Sequence, residues 1–315
     1  MAYFAAQEYK SQLKTFTGSF GMSGFYDEAT GAAKTSQIFD YSNKRVEIRP
    51  YDFVNNIENI LWHLDEPRVG MGVFSQFMVA KTAAKDVRVI LTGHGGDELF
   101  AGYPVYKAIY GRDNFVRLAL NSSPRELMFA CYFILFPKFR KEAGYFLPNI
   151  YPMKSFKNLF KSDFYDEISK IDILREPETL KKQYTDEYER LTATYIKYYL
   201  PALFIVEDKI SMASSLESRT PLCDNELVDF ALSIPLSKKL SGYQLKHIPK
   251  AAMKGKLPDF LYRYPKRGFP TPLKIWFKNE LREYIRDFIM DNLCYVPMFN
   301  SLEVERIISS FQGAR

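Results

Sequence analysis

The chain has 315 residues, 47% of them apolar and 25% charged, with a net charge of +6. This is the range of a soluble globular protein of one large or two moderate domains, long enough to bury a substantial core. Its three widely spaced cysteines, Cys131, Cys223 and Cys294, exclude a readable disulfide framework or metal-ligand spacing and suit a reducing cytoplasm.

The predicted elements begin with a helix in AYFAAQEYKSQ, followed by a β-rich strand, LKTFTGSF, at 13–20. DEATGAAKTSQIFD (27–40) predicts a short helix with acids in its first turn, favourable to the helix dipole. KRVEIRP (44–50) reads as a strand stopped by Pro50. YDFVNNIENILWHLD then carries Phe53, Ile57, Ile60, Leu61 and Leu64 at helical spacing, and GVFSQFMVAKTAAK predicts another helix. VRVILTG (87–93) is a nearly continuous apolar run, as expected of an inner strand of a parallel sheet covered on both faces. Strand and helix alternate here, so the expected fold is α/β with a doubly wound parallel sheet.

From about residue 104 long aromatic-rich helical segments replace strands, and 200–315 also reads as mostly helical. The expected division is 1–110, an α/β nucleotide-binding part, and 111–315, a large helical part, sharing one interface. The run MFACYFILF (128–136) has nine residues, whereas a bilayer span needs about 20, so it reads as a buried or interfacial helix and no membrane is expected. The N-terminus lacks the basic start and cleavage site of a signal peptide. Between Lys238 and Lys278 lie eleven Lys or Arg and one acid, Asp259. No nucleic-acid signature accompanies this stripe, and a small phosphorylated ligand is preferred over a plain solvated surface.

The turn after the 87–93 strand reads TGHGGDE. Ligands of open parallel sheets sit beyond the C-terminal ends of strands. Gly93, Gly95 and Gly96 allow close backbone approach and positive φ. Asp97 cannot bind phosphate directly, because like charges repel, but it can do so through Mg²⁺, which takes one or two carboxylates with phosphate oxygens and water. A Mg²⁺-bridged polyphosphate is therefore one reading. A glycine turn followed by helix-capping acids is the other.

Two further motifs follow in order. EDKISMASSLESRTPLCDNELVDFA spans 207–231 and RYPKRGFPTPLKIW spans 263–276. With Thr92-Gly93-His94-Gly95-Gly96-Asp97-Glu98 and Gly102-Tyr103, they resemble the synthetase domain of the glutamine-dependent asparagine synthetase family, part of the PP-loop ATP pyrophosphatase group. The matching positions are Asp208, Ser211, Met212, Ala213, Glu217, Arg219, Pro221 and Asp224, then Arg263, Lys266, Gly268, Phe269 and Trp276. The resemblance covers nearly the whole chain, although 104–200 matches only in helical character.

The resemblance implies a PP-loop-type fold and a two-step reaction. ATP activates the side chain of aspartate as β-aspartyl-AMP with release of pyrophosphate, and ammonia drawn from glutamine by a separate N-terminal glutaminase then displaces AMP. ATP and Mg²⁺ are the implied cofactors. Thr17, Gly18, Thr92 and Gly93 are expected along the nucleotide, with Gly95 and Gly96 beside it. Asp97 is implied as a Mg²⁺ ligand and Lys266 as the cation facing the phosphates, where it offsets charge on leaving pyrophosphate. Glu217 and Arg219 pair with each other or with the substrate, and Arg267 and Arg68 are further candidates. Ser211 and Asp208 read as scaffold, and Tyr103 and Trp276 as core aromatics.

Two departures stand out. His94 occupies a position where aspartate-specific members carry Glu. A histidine can hydrogen-bond the substrate or act as a base during amine attack, so amidation of another carboxylate, or cyclisation, stays open. The family's pyrophosphate-gripping Ser-Gly-Gly-x-Asp-Ser loop does not occur in these residues, and neither does the cysteine-led glutaminase. The chain therefore reads as a fragment of a longer enzyme, inactive as a synthetase by itself. A homodimer is a further arrangement to test, and a non-catalytic interaction module is the reading from another class.

Overall fold

In a computed structural model of the chain, four short strands pair in parallel and most of the rest is helical among the described residues. The structure describes residues 1–22, 27–66, 72–112, 115–136, 156–171, 179–180, 182–263 and 271–313. After helix α1 (Ala2–Tyr9) come β1 (Lys14–Ser19), α2 (Ala29–Ile38), β2 (Ser42–Glu47), α3 (Pro50–Leu64), α4 (Val73–Ala83) and β3 (Val89–Leu91). This is the α/β order that the sequence predicts. β1 pairs in parallel with β2, Lys14 opposite Ser42 and Ser19 opposite Glu47, with α2 as the crossover that a parallel pair requires. β3 pairs in parallel with β4 (Glu217–Arg219).

The ladders thus form two pairs, β1–β2 and β3–β4, among the described residues. The expectation that 87–93 is covered on both faces is not met. The strand is only three residues long, and Val89 and Leu91 are 40% and 52% exposed. β3 has its ladder partner on one edge, and Val89, Ile90 and Leu91 also line a cavity. The acids of α2 also lie differently: Asp27 and Glu28 precede the first turn, and Asp27 Oδ1 accepts the Ala29 N–H at 2.8 Å.

α3 shows how local chemistry sets boundaries. Pro50 sits in its first turn, where a missing N–H costs nothing, and Asp52 accepts the Arg49 N–H at 2.8 Å. Asp65 ends the helix at φ 59°, and Lys209 Nζ donates to Leu64 O and Asp65 Oδ2, both at 2.9 Å. The buried face, Phe53, Ile60 and Leu64, packs with Phe20, Val46 and Ile48 of the first sheet, with Phe74 and Phe77 of α4, and with Trp276. Each fully buried side chain of this size contributes roughly 1.5–3 kcal/mol.

After β3 come α5 (Gly96–Leu99), α6 (Pro104–Gly111), α7 (Phe115–Leu120), α8 (Pro124–Leu135), α9 (Ser162–Ile168), α10 (Glu187–Thr194), α11 (Leu200–Met212), α12 (Asn225–Ser233) and α13 (Leu236–Lys239), with further helices beyond. A second core joins Tyr103, Tyr106, Leu118, Phe133, Tyr195 and Leu240. The 128–136 run lies largely in α8, which buries Ala130 and Phe133 and exposes Met128, Tyr132 and Leu135, so it packs one face. Among the described residues no helix is long and apolar enough to cross a membrane. The basic stretch is not uniformly solvated either: Lys239 is buried, and Lys246 pairs with Asp97.

Candidate functional site

β1 along Lys14–Gly18, and β3 with the turn after it, line one cavity of about 530 Å³, to which Met1, Ala2 and Ala5 also contribute. Thr17 and Gly18 line it from β1, Thr92 and His94 from the turn after β3, Gln76 from α4, and Glu207 and Ser211 from α11. The volume falls in the range of small-molecule sites, roughly 300–1,000 Å³. Four of the sequence-predicted residues, Thr17, Gly18, Thr92 and His94, are therefore brought together from strands distant in sequence.

Each is held by an identifiable contact. Thr17 Oγ1 accepts a hydrogen bond from Asn43 Nδ2 of β2 at 2.9 Å. The Thr92 N–H donates to Arg219 O at 2.9 Å, which extends the β3–β4 ladder to the cavity rim. Thr92 Oγ1 is buried and has no hydrogen-bond partner among the described residues. A buried hydroxyl without a partner costs free energy, so this group is available to a ligand. His94 Nε2 lies 3.1 Å from Glu207 Oε2, and its ring meets Phe204 edge-on. Glu207, itself buried, also accepts from Gln76 Nε2 at 3.2 Å and Ser218 Oγ at 2.9 Å.

The glycines serve packing as much as approach. Gly95 has φ +87°, and a Cβ there would collide with Cys223 Sγ. The Cys223 thiol donates to His94 O at 3.5 Å, and burial pushes its pKa up, which makes it a poor nucleophile. Gly96 faces Leu222, and Gly93 has Met1 as its nearest neighbour. Gly102 leaves room for the Asp97 carboxylate, which a Cβ at that position would strike.

Asp97 Oδ1 is 2.9 Å from Lys246 Nζ, and Asp97 is not among the residues lining the cavity. Among the described residues no group of three or more His, Cys, Asp or Glu could hold a metal ion. Glu217 and Arg219 pair with each other, Oε1 to Nε 2.7 Å, on an exposed strand outside the cavity lining. Lys266, Arg267 and Arg68 lie outside the described residues. Several motif residues have structural roles. Trp276 and Tyr103 are buried, and the Tyr103 hydroxyl donates to the buried Glu98 carboxylate; burial and Glu98 push that hydroxyl's pKa far up. Asp224 caps α12, with Oδ1 accepting the N–H groups of Glu226 at 3.1 Å and Leu227 at 3.4 Å.

Sequence reasoning missed Glu207, Gln76, Ser218 and Lys246. For Glu207 a signal existed: it is an acid inside the apolar stretch LPALFIVEDKISM, and a buried charge must find partners.

A family model described as asparagine synthase matches residues 1–312. The chain is similar to glutamine-hydrolyzing asparagine synthetase 1 of Bacillus subtilis, 27% identical over 91% of this chain and 47% of the relative. It is similar to the amidase chry2 of Gibberella zeae, 23% identical over 91% of this chain and 48% of the relative. A putative glutamine-hydrolyzing asparagine synthetase 2 of Methanocaldococcus jannaschii is 30% identical over 56% of this chain and 33% of its own length. The chain spans about half the length of the first two of these relatives.

Proposed function

We propose a function from one premise: the chain belongs to the asparagine synthase family. It forms the acid-activating part of an ATP-dependent carbon–nitrogen ligase, with aspartate as the first substrate to test. The aspartate side chain attacks the α-phosphate of ATP, giving β-aspartyl-AMP and pyrophosphate, and ammonia from a glutaminase partner domain displaces AMP. The observation that carries this reading is the convergence of Thr17, Gly18, Thr92 and His94 on one cavity.

Within it, Thr17 and Gly18 flank the nucleotide from β1. The Thr92 hydroxyl, buried without a partner among the described residues, donates to or accepts from it. Gly95 and Gly96 set the turn that holds His94 at the rim. Lys266 supplies positive charge toward the phosphates, Arg267 contacts the acid substrate, and Glu217 and Arg219 contact substrate only if their mutual ion pair opens. Asp97 suits Mg²⁺ only with Lys246 displaced, since the ammonium now stands against the carboxylate. When bound, the ion would screen the charge of the polyphosphate.

Equilibrium binding of AMP and ATP to the chain tests the nucleotide half of the reading. Measurable binding that Thr92→Val weakens supports it, and binding of neither nucleotide sinks it. Supplying ATP, Mg²⁺, ammonia and aspartate and measuring asparagine and AMP tests the chemistry. The 315 residues contain no Ser-Gly-Gly-x-Asp-Ser donor loop, so by themselves they are expected to show little or no turnover. A second reading, amidation or cyclisation of a different carboxylic acid, is favoured by one observation: His94 backed by Glu207 stands where aspartate-specific members carry Glu. Substituting other acids in the same assay separates the two.

A further inference from the structure

Glu207 is a buried carboxylate, and the nucleotide reading gives it no task. Three donors from three different elements converge on it: Gln76 of α4, Ser218 of β4 and His94 after β3. Against an ionised Glu207, which is acceptor-only, the 3.1 Å contact is satisfied by a proton on His94 Nε2. In the neutral ring of that form Nδ1 keeps its lone pair, and His94 is among the residues lining the cavity. Among the described residues Cys223 also meets His94, its thiol donating to the backbone carbonyl at 3.5 Å.

We propose that Glu207 is a positioning residue that fixes His94 in the Nε2–H form, so that Nδ1 serves as the base for the amine attacking the activated acid. This rests on the acyl-adenylate reading above. In that step the amine nitrogen bonds to the acyl carbon, and the bond from that carbon to the phosphate oxygen breaks. The electron pair of that bond leaves with AMP, and one proton of the amine passes to His94 Nδ1. The products are the amide, AMP and a protonated imidazole, which returns its proton to solvent. The imidazolium is stabilised by Glu207 as it forms, and Ser218 and Gln76 hold Glu207 so that no reorganisation is needed. A carboxylate at position 94 is thus replaced by a histidine whose carboxylate partner comes from α11.

The test separates the two half-reactions in the protein carrying this chain at its natural length. ATP–pyrophosphate exchange reports adenylation, and amide formation reports amine attack. Glu207→Gln keeps the volume and an acceptor oxygen but removes the charge. It is expected to slow amide formation about 100-fold, in the range of general-base effects, while exchange falls less than about threefold and KM for ATP stays put. Glu207→Asp is expected to recover part of the rate. Long-range ¹H–¹⁵N NMR of the histidine-labelled chain is expected to show the proton of His94 on Nε2. Equal loss of both half-reactions, an unchanged amide rate, or a proton on Nδ1 overturns the proposal. Absence of exchange in the wild-type protein overturns the adenylation reading instead.

Discussion

The hydroxyl of Thr92 has left water without gaining a partner among the described residues, so its removal separates folding from binding. Thr92→Val is expected to leave stability unchanged or slightly raised, because a desolvated polar atom disappears, and to weaken nucleotide binding by about 1 kcal/mol, roughly fivefold. Urea unfolding and calorimetric titration check the two halves. Lys239 poses a similar question with charge. It is buried, has no hydrogen-bond partner among the described residues, and lies over the Tyr188 ring at 5.4 Å. Burial lowers its pKa from 10.5 to about 8. The unfolded chain therefore binds the proton more tightly, so stability is fully present above pH 10.5 and is lost as pH falls from there toward 8. The loss is on the order of 1–3 kcal/mol. Lys239→Met is expected to flatten that dependence and to raise stability at pH 7, as read by urea midpoints across pH. Both residues belong to stretches whose surroundings the sequence does not reveal. A threonine at a strand end and a lysine in a basic run look ordinary until the neighbours that desolvate them are placed.

At the scale of elements, a motif residue is often a cap. Asp224 sits in the second motif, yet its Oδ1 serves the first N–H groups of α12. Asp224→Ala is expected to cost about 1 kcal/mol in thermal or urea unfolding without a specific effect on nucleotide binding. What was legible follows physical rules of this kind. β1, α3 and α4 were readable because their periodicity and boundary residues agree, as with Pro50 and the Phe53–Ile60–Leu64 stripe. The turn after β3 was readable as a ligand-facing loop because ligands of parallel sheets sit beyond strand ends, whereas Thr17, Gly18 and His94 were singled out by the family resemblance, and the structure adds that all three line one cavity with Thr92. β3 was misjudged in burial because an apolar run reports only that cover is favourable, while the cover itself comes from distant chain. The partners of His94 and Asp97 lie on α11 and at Lys246, separated from them by more than a hundred residues, and no local spacing encodes such pairings. Glu217 and Arg219, two positions apart on one strand face, were readable as a pair.

For the molecule as a whole, α11 ties the parts together. Lys209 fastens the end of α3, Glu207 reaches the turn after β3 and Ser218 of β4, and Ile210 enters the first core. Hydrogen exchange is therefore expected to show α11 among the slowest-exchanging segments, and saturating AMP is expected to slow exchange at 14–19 and 89–92 together. Protection of one strand without the other would separate them as nucleotide walls. The two strand pairs carry a last consequence. No backbone ladder spans the gap between β1 and β3 among the described residues, so its aperture is gauged by the side chains that wedge it, Ala80 and Ala83 of α4 among them. Ligand size selection in this protein can then drift through a single methyl group on a helix, with every polar contact to the ligand left as it was.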